Sequence, residues 1–168
     1  MTSDTDPRPE FDSAQQAARD PRILVFGRLM GAAYRLEYIL GRDLEAATGL
    51  THSIFELLLV VGRAGPGGIP VRDIAQARVL TSGGATRLVH RAVDQGLITR
   101  TTAGHDARVT LIELTPLGEA ELLRASTIHA RNVQRLLVDV LPPEQAAVFS
   151  EAIRTLSISA SRALPIMP

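Results

Sequence analysis

Cysteine is absent from the 168 residues. Its absence excludes disulfide frameworks, thiolate metal ligands and thiol-based redox sensing. Tryptophan is absent as well, and the aromatic residues are 4 Phe and 2 Tyr. A core must therefore be built from Leu, Val, Ile and Ala, which suits helices better than a β-sandwich. Long apolar runs are also missing. The most apolar stretch, residues 54–61, falls far short of the roughly 20 residues that span a bilayer. The first 20 residues are polar and acidic, without the basic-then-apolar order of a secretory signal. A cytoplasmic chain that does not enter a membrane is expected.

Recognisable catalytic and cofactor motifs are lacking too. There is no G-x-S-x-G, no Walker sequence and no G-x-G-x-x-G. The glycine-rich turn at 65–68 has no Lys to make a phosphate loop. The four His (His52, His90, His105, His129) have no His or carboxylate at regular metal-ligand spacing. The chain is expected to be no enzyme and to use no metal and no cofactor. Lysine is missing, so all 18 basic side chains are Arg, which we read as base composition of the coding sequence.

What is present is unevenly distributed charge. The formal net charge is zero, yet residues 63–108 hold seven Arg against three acidic residues, a surplus of +4 balanced by −4 elsewhere. A basic middle in an acidic frame implies a local anion-binding face.

Hydrophobic periodicity predicts mainly α structure with one small β-hairpin. Residues 1–20 read as a mobile arm, ending in a short helical piece near residues 13–19. Asp20-Pro21 opens a long helix over 21–47, with Phe26, Leu29, Met30, Ala33, Leu36, Leu40 and Leu44 at three- and four-residue steps. A second helix over 51–63 is apolar all round at 57–61, capped by Thr51 or by a Ser53-x-x-Glu56 capping box. A short helix follows at 71–77, then one capped by Thr81 and running to Gln95. That helix buries Ala85, Leu88, Val89, Ala92 and Val93, and Gly96 closes it. Residues 97–101 and 108–114 read as strands around a polar tip. Thr115-Pro116 starts a helix to about 140, and Pro142-Pro143 separates it from a last helix over 143–162.

Two short helices, a turn and a β-hairpin make a winged helix-turn-helix pattern. In such units the second helix enters the DNA major groove with its N-terminal residues near base edges. Ser82, Gly83, Thr86 and Arg87 occupy that start, and Arg87 suits a guanine or phosphate contact. His90 and Arg91 follow one turn on as backbone contacts. Arg72 and Arg78 are either phosphate contacts or structural ion-pair partners.

Over residues 49–120 the sequence resembles the MarR (multiple antibiotic resistance regulator) family. The resemblance rests on Gly49-Leu50-Thr51 with Phe55-Glu56-x-Leu58-Leu59, and on Leu80-Thr81-Ser82-Gly83 with Thr86-Arg87-Leu88-Val89-x-Arg91. It continues through Gln95-Gly96-Leu97-Ile98-x-Arg100, Asp106-x-Arg108 and Leu114-Thr115-Pro116-Leu117-Gly118. It implies a homodimer with helical dimerisation regions at 21–48 and 116–168 around a DNA-binding lobe at 49–115. It also implies a pseudo-palindromic double-stranded DNA site. In the wing it implies that Asp106 steadies Arg108, which suits a narrow minor groove. A transcriptional regulator follows, a repressor relieved by a small-molecule effector. Its pocket would lie in the seam between dimerisation helices and lobe, with Tyr34, Tyr38 and His52 as candidate polar groups. The alternative is a winged-helix interaction scaffold without specific DNA binding.

Overall fold

The structure, a computed structural model, describes residues 10–103 and 106–164, and of residues 103 and 106–109 the backbone alone. In chain order the elements are α1 (Ala14–Ala18), α2 (Pro21–Thr48), α3 (His52–Ala64), β1 (Ile69–Pro70), α4 (Val71–Ala77) and α5 (Ser82–Asp94). Then come β2 (Ile98–Ala103), β3 (Asp106–Leu114), α6 (Pro116–Val133), a π-helical turn (Gln134–Val138) and α7 (Pro143–Ala163). The chain divides into two compact units, Met1–Tyr38 and Ile39–Pro168. Among the described residues no single helix is long and apolar enough to cross a membrane.

In the first unit, the helical piece expected near residues 13–19 is α1. Its N-cap Ser13 accepts the Gln16 N–H at 3.2 Å. Asp20 caps α2 by accepting the Arg22 N–H at 2.8 Å, and the Arg22 guanidinium reaches Glu10 at 2.7 Å. Residues 10–20 thus carry defined contacts where the sequence predicts an arm. Ile23, Val25 and Phe26 of α2 point their apolar side chains to solvent.

In the second unit, the core is the apolar stretch of α3 with everything packed on it. Ile54, Phe55, Leu57 and Leu58 are almost wholly buried, as are Leu44, Ile74, Val89 and Ile112. They form one continuous cluster, as their spacing on helices demands. Thr51, not Ser53, caps α3: its hydroxyl accepts the Ile54 N–H at 3.4 Å. Glu56 is therefore free of the capping box and turns to a different partner.

The sheet has three strands in the antiparallel order β1-β3-β2, with Ile69 opposite Ile112 and Ile98 opposite Leu114. The sequence predicts only the hairpin. The third strand is two residues long and includes Pro70, which lacks a ladder donor, so it leaves no strand signal.

Two contacts fix α6 to the lobe. The Thr115 hydroxyl donates to the Gly96 carbonyl at 2.7 Å while accepting the Gly118 N–H at 3.0 Å. Gly118 lies so close to β2 that a Cβ there would collide with the Leu97 carbonyl oxygen. Further along, the predicted helix to residue 140 ends as α6 at Val133 and continues as the π-helical turn. α7 has no buried residue, and Val148, Phe149, Ile153 and Leu156 are exposed.

Candidate nucleic-acid interface

The turn between α4 and α5 sets the interface. Arg78 ends α4, and Leu80 closes it by donating its N–H to the Ala75 carbonyl at 2.9 Å. Val79 between them has φ of 52°, a left-handed conformation that costs a β-branched residue roughly 1–2 kcal/mol. Thr81 then caps α5 by accepting the Gly84 N–H at 3.1 Å. No described residue accepts the N–H groups of Ser82 and Gly83, which leaves them open to an anion.

α5 is strongly two-faced. Ala85, Leu88, Val89 and Ala92 are buried. Ser82, Gly83, Thr86, Arg87, His90 and Arg91 are all exposed on the other side. The structure thus brings together the six residues singled out on this helix. Among the described residues, Arg87, His90 and Arg91 meet no acidic partner. Thr86 donates its hydroxyl back to the Ser82 carbonyl at 2.9 Å. A Cβ on Gly83 would meet nothing within 4 Å, so the fold does not require glycine there. Arg100 on β2 is exposed on the adjoining hairpin. The backbones of Asp106 and Arg108 lie in β3, while their side chains, and His105 altogether, lie outside the described residues.

Residues 48–109, which hold the helix-turn-helix and the start of the hairpin after it, match the family model described as MarR family. The match covers the helix-turn-helix lobe. An HTH-type transcriptional regulator of Bacillus subtilis is 26% identical over 107 residues, 64% of this chain and 64% of that protein. The match therefore spans just under two thirds of that relative's length. A MarR family regulator of Streptomyces coelicolor, solved in complex with DNA, superposes with a TM-score of 0.75 at 24% identity, covering 90% of this chain and 91% of that one. The BpsR regulator of Bordetella bronchiseptica, solved in a study of how 6-hydroxynicotinic acid regulates its DNA binding, gives 0.69 at 20% identity, covering 79% and 92%. These solved structures share the MarR-type fold.

Outside α5 the predicted site residues separate. Arg72 is exposed at the start of α4 and pairs with its neighbour Asp73 at 3.0 Å. Arg78 takes the ion-pair alternative. Its guanidinium pairs with Glu56 of α3, both side chains are about three-quarters buried, and the charge is spent inside the lobe. Tyr34 and Tyr38 belong to the first unit and are 63% and 71% exposed. His52 belongs to the second unit, is half-buried and faces the His129 ring at 5.8 Å.

Three residues of the MarR-like lobe and its flanking helix escaped the sequence reading. Glu56 was assigned to a capping box. Arg124 of α6 donates to the carbonyls of Ala47 (3.1 Å) and Thr48 (2.7 Å), capping the C-terminus of α2. His129 packs on Phe55 with ring centroids 4.9 Å apart. The partners of Arg124 and His129 lie more than 70 residues away in the chain, and Arg78 lies in a different helix from Glu56, where no local pattern can point.

Proposed function

We propose that the chain is a sequence-specific, DNA-binding transcriptional regulator, a homodimer acting in the cytoplasm as a repressor that a small-molecule effector relieves. One observation carries the reading: the exposed face of α5 holds Arg87, His90 and Arg91 with no acidic partner among the described residues, opening on two unengaged N–H groups. A helix face of this composition suits insertion into a major groove, with the N-terminal turn at base edges and phosphates. The Streptomyces coelicolor protein of the same fold, solved in complex with DNA, supports a DNA-binding role.

The homodimer rests on apolar side chains that the single chain leaves uncovered, Ile23, Val25 and Phe26 on α2 and Val148, Phe149 and Leu156 on α7. Burying such surface in a partner removes it from water, and two copies present two α5 helices to a pseudo-palindromic site. Relief by an effector is supported by BpsR, whose DNA binding 6-hydroxynicotinic acid regulates. An effector acts here by binding more tightly to a form whose two α5 helices do not match successive grooves. No catalytic step is assigned to the chain.

Selection of duplexes from a random-sequence pool tests the reading. The expected result is a two-fold-related motif with half-sites about one helical turn apart, 10–10.5 bp. Recovery of no enriched motif overturns it in favour of an interaction scaffold.

A further inference from the structure

A chain of polar side chains runs from α6 to the helix-turn-helix turn without touching the exposed face of α5. The His129 ring of α6 lies on Phe55 of α3 and 5.8 Å from the His52 ring. His129 Nδ1 is buried and has no hydrogen-bond partner. His52 Nδ1 lies 3.9 Å from Glu56 Oε2. The same carboxylate pairs with Arg78, which ends α4 three residues before the α5 cap Thr81. α2 closes the other side, where a Cβ on Gly41 would stand 3.1 Å from His52 Cβ.

We propose that the His129–His52 pair is a proton-gated clamp. With both imidazoles neutral it holds α6 against α3 and leaves Glu56 to Arg78; proton uptake opens the contact and weakens DNA binding. The output of the clamp rests on the DNA-binding reading, while the clamp itself does not.

A proton on His129 Nδ1 puts a charged donor where no acceptor stands, beside a second imidazole and an apolar ring. Burial, and then the neighbouring His52, hold the His129 pKa below its ordinary value of 6.5. A base depressed in the folded state stabilises the contact above 6.5, and that stabilisation is lost as pH falls below it. A proton on His52 draws Glu56 away from Arg78, so the second event loosens the turn that carries α5. Charged groups on the elements that carry the pair or pack on it have partners of their own. On α2, Asp43 pairs with Arg42 at 3.0 Å and stands 4.0 Å from Arg135. On α6, Glu121 pairs with Arg124 at 2.6 Å.

The test measures affinity for a duplex selected by the wild-type protein, at about pH 8, 7 and 6 and constant ionic strength, together with melting temperature at each pH. Wild type is compared with His129→Phe, which keeps a ring on Phe55 and cannot titrate, and with His129→Gln as a second non-titrating variant should the first fold poorly. Wild-type affinity is expected to fall about fivefold or more between pH 8 and pH 6, a typical coupling between linked sites. The variants should hold level or rise. Parallel affinity profiles for wild type and variants overturn the clamp. If wild type binds no duplex better than scrambled DNA at any pH, the regulator reading fails. The clamp is then decided by melting: a wild-type loss on acidification that the variants lack supports it, and parallel melting profiles overturn it.

Discussion

Arg78, the C-cap of the first helix of the helix-turn-helix, is bound to Glu56 of the core helix. The pair joins α3 to the turn that aims α5. Glu56→Gln keeps the shape and removes the charge that the largely buried Arg78 guanidinium pairs with. The cost is expected to be about 1–3 kcal/mol, measured as a shift in urea midpoint at unchanged slope. The replacement should also weaken DNA binding, although Glu56 lies off the exposed face of α5.

Arg124 makes a second joint, donating to the carbonyls of Ala47 and Thr48 at the end of α2. Arg124→Ala removes this tertiary cap. Because the side chain is 45% exposed, the expected loss is modest, about 1–2 kcal/mol, read by denaturation. Arg124→Lys should recover only part of it, since an ammonium cannot span both carbonyls as the guanidinium fork does.

Gly83 separates stability from binding. Its surroundings are empty, so Gly83→Ala fits the fold and should raise stability by up to about 1 kcal/mol through helix propensity. The same methyl stands at the start of α5, where DNA is proposed to approach. Affinity for the selected duplex should fall while melting temperature rises. A gain in both would mean that nothing comes close to this position.

Gly118 is the opposite case. A Cβ there has no room, because the Leu97 carbonyl occupies its place. Gly118→Ala should push α6 off β2 and cost about 1–3 kcal/mol or more, visible in thermal denaturation.

Much of this molecule was legible from local pattern. The steps between Ala85, Leu88, Val89 and Ala92 placed α5 and its two faces, and Thr81 and Thr115 announced the starts of α5 and α6 by cap chemistry. The exposed set Ser82 to Arg91 followed from the same periodicity. What was not legible depended on partners distant in sequence. β1 exists only because Ile69 meets Ile112. Glu56 fitted a local capping box equally well, and only the tertiary fold gives it Arg78 and frees Thr51 to cap α3. His129 lacked any metal-like spacing and looked idle, yet Phe55 and His52 lie against it. The apolar steps of α2 forecast a core-facing helix, whereas Ile23, Val25 and Phe26 stay exposed in the single chain. A periodic stripe says that a surface seeks cover, not whether the cover comes from the same chain.

Arg87 is the sharpest probe of DNA reading by the N-terminal half of α5. The measurement is the dissociation constant on the selected duplex and on a scrambled one, across a salt series, for wild type and Arg87→Ala. Wild type is expected to bind with steep salt dependence and a large preference for the selected duplex. Arg87→Ala should lose about 1–3 kcal/mol per half-site on the selected duplex and far less on the scrambled one. Equal wild-type affinity for the two duplexes, or a mutant indistinguishable from wild type on the selected one, would contradict DNA reading by α5.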